Sequence, residues 1–180
     1  MLLSEIKDLL QESLNQRRNL KWKQVDKDYF TNFSIEHRDY ILELAYTDFI
    51  DFYGSSLPSY EIKFTGKDTD SEKESSYHGT QTNSTKHSLA VMGIIKNGSM
   101  EKLETLDWKM LFFTAKKNDK SYEQRVSLYN RMSSLIAREN DLGIYKNDYS
   151  KFNLYILCKE DVKLSKELID YVIKLVLQEN

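Results

Sequence analysis

Residues 106–115 read LDWKMLFFTA, a run too rich in bulky and aromatic side chains to lie on a protein surface. Aromatic residues favour strands, and a strand that is covered on both faces reads as a nearly continuous apolar run. We therefore predict that Leu106 to Ala115 forms a central strand, and that the rest of the chain packs around it.

The sequence after this strand predicts two helices and one more strand. Ser121 and Gln124 have the spacing of a capping box, in which two side chains bond backbone amides at the start of a helix. Apolar residues then recur at steps of three and four, so this helix should continue to the polar loop at 139–150. Beyond the loop, the apolar run from Phe152 to Cys158 predicts a strand, and a second helical pattern predicts a final helix over 164–176.

The sequence before residue 66 predicts one helix followed by part of a sheet. Apolar residues at steps of three and four place one stripe along an amphipathic helix over 2–18. From Phe33 to Tyr46 apolar and polar residues alternate, as they do in a half-buried strand or strand pair. The residues at 54–59 are typical of a turn, and Tyr60 to Phe64 reads as another strand.

A polar excursion follows at 66–86, where no aliphatic side chain occurs. Because it offers so little to bury, Lys67 to Ser76 should be mobile. Tyr77 to Thr82 is rich enough in threonine to pair as a short edge strand.

Residues 87–96 are apolar on every side, so they fit either a buried strand or a buried helix. Ser84 and Thr85 can cap the start of a helix, and Asn97-Gly98 is typical of a helix end. These flanking residues favour the helix.

Length and composition are those of one domain. The chain has 180 residues, of which 40% are hydrophobic and 30% charged, a balance that supports an apolar core. Strands alternate with helices in the second half, which requires crossover connections, while the first half is hairpin-like. We predict a single α+β domain over 1–180 with a mixed sheet and helices packed mainly on one face, which is a two-layer sandwich.

Charge gives little indication of a partner. The net charge of −2 argues against a general nucleic-acid binder, which usually carries a basic face. One cluster of cations surrounds a tryptophan and could hold phosphate and stack a base, or could simply face solvent near a helix end. Its members are Arg17, Arg18, Lys21, Trp22 and Lys23.

Glu61 and Lys63 are the sharpest catalytic candidates, because a strand places both on one face, where Asp48 or Asp51 could join them. The set Asp51, Glu61 and Lys63 resembles the PD-(D/E)xK nucleases. The resemblance implies that the two carboxylates hold Mg²⁺ while Lys63 activates water or stabilises charge on a phosphate. The Pro-Asp part of that motif is missing, since Ile50 precedes Asp51. The interpretation that we favour is a charge pair on an exposed sheet face.

Other residues that often carry chemistry form no recognisable site. His37 is isolated and His78 and His87 have no cysteine nearby, so no metal site is predicted and no cofactor is expected. Cys158 lies in an apolar run and is expected to be a buried thiol. The first residues show neither a signal peptide nor a spanning helix, so we expect no membrane association and a cytoplasmic location.

Tyrosine is abundant in this chain, with 12 copies. It combines apolar area with a polar tip and is favoured at partner surfaces. Tyr145, Tyr149 and Tyr155 fall around one loop and strand, where they predict either a contact patch or packing at the rim of the core.

The order of several segments between Tyr60 and Cys158 points to a family. These segments are YEIKF at 60–64, Gly79-Thr80, the apolar run 89–95, LFFTA at 111–115, and Arg125 with Leu128-Tyr129. In this order they resemble small uncharacterised proteins of tailed bacteriophages, which implies a phage or mobile-element source.

The leading interpretation is a non-catalytic interaction or structural protein, virion-associated or accessory, with a protein partner or self-association. A phage source would place it in the host cytoplasm or in the virion. The alternative is the Mg²⁺-dependent nuclease.

Overall fold

The computed structural model describes residues 18–36, 38–51, 53–68, 85–117 and 122–178. In these ranges the chain forms seven strands and three helices. In chain order they are β1 (Lys23–Val25), β2 (Asp28–Ile35), β3 (Arg38–Ile50), β4 (Ser56–Asp68), α1 (Thr85–Leu103), β5 (Met110–Lys116), α2 (Tyr122–Asn140), β6 (Gly143–Asp148), β7 (Phe152–Cys158) and α3 (Lys166–Gln178).

The strands form one mixed sheet in the order β1-β2-β3-β4-β5-β7-β6. Neighbouring strands are antiparallel except β4 and β5, which are parallel because α1 crosses over between them. The middle strand of this sheet is β4, and β5 lies inside it between β4 and β7, as the sequence predicted for an interior strand.

Each face of the sheet carries its own apolar core. On the first face, alternate residues such as Leu42, Leu44 and Leu111 pack against α1 and α2. On the second face, Met110 and Phe112 pack against α3. The predicted α+β fold is confirmed, with two of the described helices on the first face and α3 covering part of the second face.

The helix predicted over 87–96 is confirmed, but it does not end at Asn97-Gly98. Helix α1 continues to Leu103, and Gly98 lies inside it. A Cβ atom at Gly98 would lie 2.4 Å from Cδ1 of Leu20, so the glycine allows the chain before β1 to approach the helix closely. The glycine therefore serves packing instead of helix termination.

The predicted polar loop at 139–150 contains a strand that the sequence did not reveal. Strand β6 pairs antiparallel with β7 at the edge of the sheet, and its side chains are mostly exposed. An exposed edge strand needs no apolar alternation, because its pairing relies on backbone hydrogen bonds. The final helix and the strand at 152–158 are confirmed as α3 and β7.

The predicted excursion at 66–86 begins later than expected. Strand β4 continues to Asp68, and the Tyr40 ring lies across Gly66, with Cε1 only 2.8 Å from the position of a Cβ atom there. The mobile segment and edge strand predicted beyond Asp68 lie outside the described residues. So do the capping box at Ser121 and all of the helix predicted over 2–18 except Arg18, which is not helical. No helix in the described part of the chain is long and apolar enough to cross a membrane.

Helix α3 has a cap at its start that we expect to be important for stability. The Ser165 hydroxyl accepts a hydrogen bond from the Leu168 amide at 3.1 Å. We predict that Ser165→Ala lowers the free energy of unfolding by about 1 kcal/mol, because that amide loses its partner. Urea denaturation of this variant beside Ser127→Ala, which alters an exposed serine inside α2, provides the comparison. Equal midpoints for the two variants would contradict the cap.

Candidate functional site

The parallel strands β4 and β5 pair over only three residues. The pairs are Ser59 with Met110, Tyr60 with Leu111 and Glu61 with Phe112. Beyond them β4 continues to Asp68 and β5 continues to Lys116, but the two strands no longer pair with each other. We call this opening, between residues 62–66 of β4 and 113–116 of β5, the fork.

The fork arises because each strand stays with its outer partner. Strand β4 pairs with β3 along its whole length, and β5 pairs with β7 from Met110 to Lys116. The sheet therefore consists of two antiparallel units whose strands pair with each other only at the base of the fork. The fork lies at the carboxyl ends of the two parallel strands.

Glu61 lies at the base of the fork on the second face. It is only 5% exposed, and its Oε2 lies 3.4 Å from Nζ of Lys63, whose side chain is half-buried. The predicted charge pair is present, but the prediction that it faces solvent is wrong. Strand β4 is the middle strand, so Ala45 of β3 and Phe112 of β5 flank Glu61 on both sides.

The third member of the predicted nuclease set lies elsewhere. Asp51 is in the turn after β3, where Oδ1 accepts hydrogen bonds from the amides of Tyr53 at 2.8 Å and Ser55 at 2.7 Å. Ala45 pairs with Glu61 and is six residues from Asp51, which corresponds to about 20 Å along a strand. The structure therefore brings Glu61 and Lys63 together without Asp51.

A carboxylate that the sequence did not single out lies beside this pair. Glu43 of β3 is directly opposite Lys63 in the β3–β4 register, so it shares the second face with Glu61. Asp48 was the other residue considered for this position. It is two residues after Tyr46 on the same strand and therefore lies on the first face, where its Oδ1 accepts a hydrogen bond from the Ser56 hydroxyl. The register of the hairpin, which sequence spacing does not give, decides which acid is near Lys63.

On the first face, one aromatic ring bridges the fork. The Tyr129 ring of α2 meets Phe64 of β4 at 6.2 Å and Phe113 of β5 at 5.7 Å, both edge to face. These distances join ring centroids and are typical of favourable aromatic pairs. Helix α2 therefore holds the two diverging strands together from this side.

The three tyrosines predicted as a contact patch do not lie on one surface. Tyr155 is buried on the first face, where it stacks on Phe113 at 5.1 Å, so it belongs to the core. Tyr145 pairs with Ile156 and hence points to the second face, where its hydroxyl lies 3.1 Å from that of Tyr149. Among the tyrosines that the structure describes, the most exposed is instead Tyr53, at 80%, in the turn after β3.

The basic segment is described from Arg18 onward, and Arg17 lies outside the described residues. Arg18, Lys21 and Lys23 are exposed. The Arg18 guanidinium donates a hydrogen bond to the Ser34 carbonyl. Trp22 is half-buried against the first-face core, so most of its ring is used in packing.

The remaining candidates for chemistry are buried or isolated. His87 lies 2.9 Å from the Tyr40 hydroxyl through Nε2, while His37 and His78 lie outside the described residues. Burial raises the pKa of the Cys158 thiol, with a smaller contribution from Asp161. Among the described residues, no three histidine, cysteine or acidic side chains form a group that could hold a metal ion.

Comparison with protein-family models, curated proteins and solved structures finds no match to this chain. The fork is therefore interpreted from its own geometry.

Tyr60, the middle residue of the three β4–β5 pairs, predicts a response to alkaline pH. Burial raises the pKa of its phenol to about 12, assisted by Tyr29. Between about pH 10 and pH 12 the unfolded chain has lost this proton and the folded chain has kept it, so stability should fall by about 1.4 kcal/mol per pH unit. We expect Tyr60→Phe to flatten this loss.

The measurement is urea denaturation at several pH values across that range. Tyr53→Phe removes an exposed phenol and should leave the alkaline slope unchanged. If the two variants lose stability in parallel with the wild type, Tyr60 does not retain its proton in the folded state.

Proposed function

We propose that this chain is a non-catalytic binding protein that takes an extended segment of a partner protein into the fork. The observation that carries the proposal is the divergence of β4 and β5 after three residue pairs. Strand backbone borders the opening on both sides, with the Lys116 carbonyl at its outer end accepting a hydrogen bond from Arg125 at 2.8 Å, and an extended peptide recognises strand backbone through main-chain hydrogen bonds. Affinity would come from those bonds, and specificity from the side chains at the base.

The spacing between strands in a sheet sets the width of the opening that such a segment needs. Neighbouring strands lie about 4.8 Å apart, so a guest strand needs an opening of about twice that distance. The fork begins at Glu61 and Phe112 and has no further β4–β5 pairs up to Gly66 and Lys116. A guest segment would enter from the carboxyl ends of the strands and extend towards the base.

Glu61 supplies the polar group that would orient the guest. A buried carboxylate accepts hydrogen bonds strongly, and Lys63 at 3.4 Å compensates part of its charge. A guest that carries a hydroxyl, amide or basic group at its inner end would place a donor beside this carboxylate. Glu61 is thus the selectivity residue in this proposal.

The resemblance to small proteins of tailed bacteriophages supplies the proposed setting, a virion-associated or accessory role in the host cytoplasm or the virion. The partner is then another protein of the same particle or of the host. Nucleic-acid contact through the exposed cations Arg18, Lys21 and Lys23 is a separate proposal, supported only by their exposure and charge.

The proposal predicts a peptide whose backbone is recognised. A displayed library of random linear peptides is selected on the wild type, and the best binder is synthesised. Its titration should shift the amide resonances of residues 62–66 and 113–116. N-methylation of the peptide at alternate residues should weaken binding about tenfold or more, because it removes the donors that face the strands.

N-methylation of the intervening residues should weaken binding as well, because alternate N–H groups of a strand between β4 and β5 point to opposite neighbours. The control is the same peptide with a single N-methyl group at its outermost residue, which should bind nearly as well. Glu61→Gln keeps the shape of the side chain and should weaken only peptides that end in a basic group. Resonance shifts confined to other parts of the chain, or undiminished binding of either alternately methylated peptide, would refute the proposal.

One observation favours a second function, a Mg²⁺-dependent nuclease. Glu43 and Glu61 share the second face with Lys63, and Mg²⁺ is usually held by one or two carboxylates together with water and substrate phosphate. In this set Glu43 would be the second carboxylate ligand in place of Asp51, which lies in the turn after β3. The lysine would stabilise charge on the phosphate.

We predict that the purified protein does not cleave single- or double-stranded DNA or RNA in Mg²⁺ or Mn²⁺. The reason is that Lys63 already lies next to Glu61, so a metal ion would have to displace an existing charge contact. Gel assays of the wild type, Glu43→Gln and Glu61→Gln decide the matter. Cleavage by the wild type that both variants abolish would establish the nuclease instead.

A further inference from the structure

A groove at the opposite end of the sheet from the fork is lined by groups that attract a cation. It has a volume of about 410 Å³ and lies where α1 and α2 end and β5 begins. Its floor is apolar and consists of Met100, Leu103, Leu106, Trp108 and Leu142. We call it the Trp108 groove.

Three carboxylates line the rim of this groove. They belong to Glu104, Asp141 and Glu160, which are all exposed. Within the described part of the chain none of the three forms an ion pair. The rim therefore carries three carboxylates against one lining ammonium group, that of Lys159.

The two helix ends strengthen this negative potential. Helices α1 and α2 both terminate at the groove, and a helix carries partial negative charge at its carboxyl end. Glu104 directly follows α1 and Asp141 directly follows α2, so both acids stand where the helix dipole disfavours them. Lys102, the basic residue of the last turn of α1, lies over the Tyr29 ring at 4.2 Å and does not line the groove.

Asp141 is also unusual in its backbone conformation. Its φ is 53°, a left-handed conformation that glycine adopts without cost at this position after a helix. The Leu142 amide donates to the Ala137 carbonyl at 2.9 Å, which is the hydrogen bond of a helix end built on such a residue. Aspartate tolerates this conformation better than most residues, so the cost that singles out Asp141 is its charge at the carboxyl end of α2.

A cation already occupies part of the groove. The Lys159 ammonium lies 4.8 Å from the centroid of the Trp108 ring, within the range of a cation–π contact. Trp108 is buried, and the face of its ring under Lys159 is the part of the floor that attracts a cation. The groove can therefore hold an ammonium group together with its aliphatic stem.

We propose that the Trp108 groove binds a basic side chain, lysine or arginine, of a protein partner, and that Lys159 occupies it when the partner is absent. A long basic side chain has an apolar stem and a charged head, which match the apolar floor and the acidic rim. The partner's cation neutralises the rim and offsets the unfavourable placement of Glu104 and Asp141 at helix ends. This site is separate from the fork and does not depend on the function proposed there.

The test uses a hexa-arginine peptide as the probe and Trp108 as the reporter. The chain has two tryptophans, so Trp22→Phe leaves Trp108 as the single tryptophan, whose emission is excited selectively over that of tyrosine. Titration should change its emission in a saturable manner. The triple variant Glu104→Gln/Asp141→Asn/Glu160→Gln should weaken binding about tenfold or more, and Lys159→Gln should tighten it by about threefold, since it removes the resident cation.

The matched control is Asp26→Asn/Glu123→Gln/Asp170→Asn, which removes three exposed carboxylates elsewhere and gives the same net charge. If the control weakens binding as much as the groove variant, the attraction is general and the proposal fails. Absence of saturable binding would also overturn it. Self-association of the protein alone, abolished by the groove variant, would assign the groove to a second copy and overturn the assignment to a different protein.

Discussion

The parallel contact between β4 and β5 is the constraint on which the rest of the structure depends. It joins two antiparallel units through only three residue pairs. One unit consists of β1 to β4 and the other of β5, β7 and β6. So short a contact does not hold two units together by its hydrogen bonds alone. The first-face core supplies the rest, because α1 and α2 pack across both units and Tyr129 touches a strand of each. The fork is thus a product of the same arrangement that stabilises the sheet.

The buried polar groups show where this fold departs from an ordinary apolar core. Glu61 lies in the middle strand, where an apolar residue would pack without desolvating a charge. Lys96 is buried between α1 and α2, and its ammonium bonds the Glu139 carboxylate at 2.7 Å. The second pair has a structural explanation, since it fixes the two helices that close the first face. Glu61 lies at the base of the fork, 3.4 Å from Lys63 of the same strand, and it is buried beside the only three residue pairs that join β4 to β5. This position is why the fork is the candidate site.

Periodicity predicted most of the fold because it records which face of an element is covered. The strand at 152–158 was predicted with its observed limits, and α3 with nearly its observed limits, since both pack against the core. Strand β6 was missed because its side chains are exposed. Gly98 was read as a helix end because a sequence does not show that Leu20 lies against it. In the same way, the sequence places Glu61 and Lys63 on one face but not the acid beside them. The register of β3 against β4 selects Glu43 and sends Asp51 into the turn.

The fork and the Trp108 groove lie at opposite ends of the same elements. Helix α1 begins after β4, on the side of the fork, and ends at the groove, while β5 starts beside Trp108 and ends in the fork. Coupling between two sites requires an element with two arrangements that both ligands bias. A shift of α1 along its axis would be such an element. It is opposed by the contact of the buried Lys96 ammonium with the Glu139 carboxylate of α2 and by the close approach of Leu20 to Gly98. The two sites should therefore bind their partners independently, as two contacts of one rigid body.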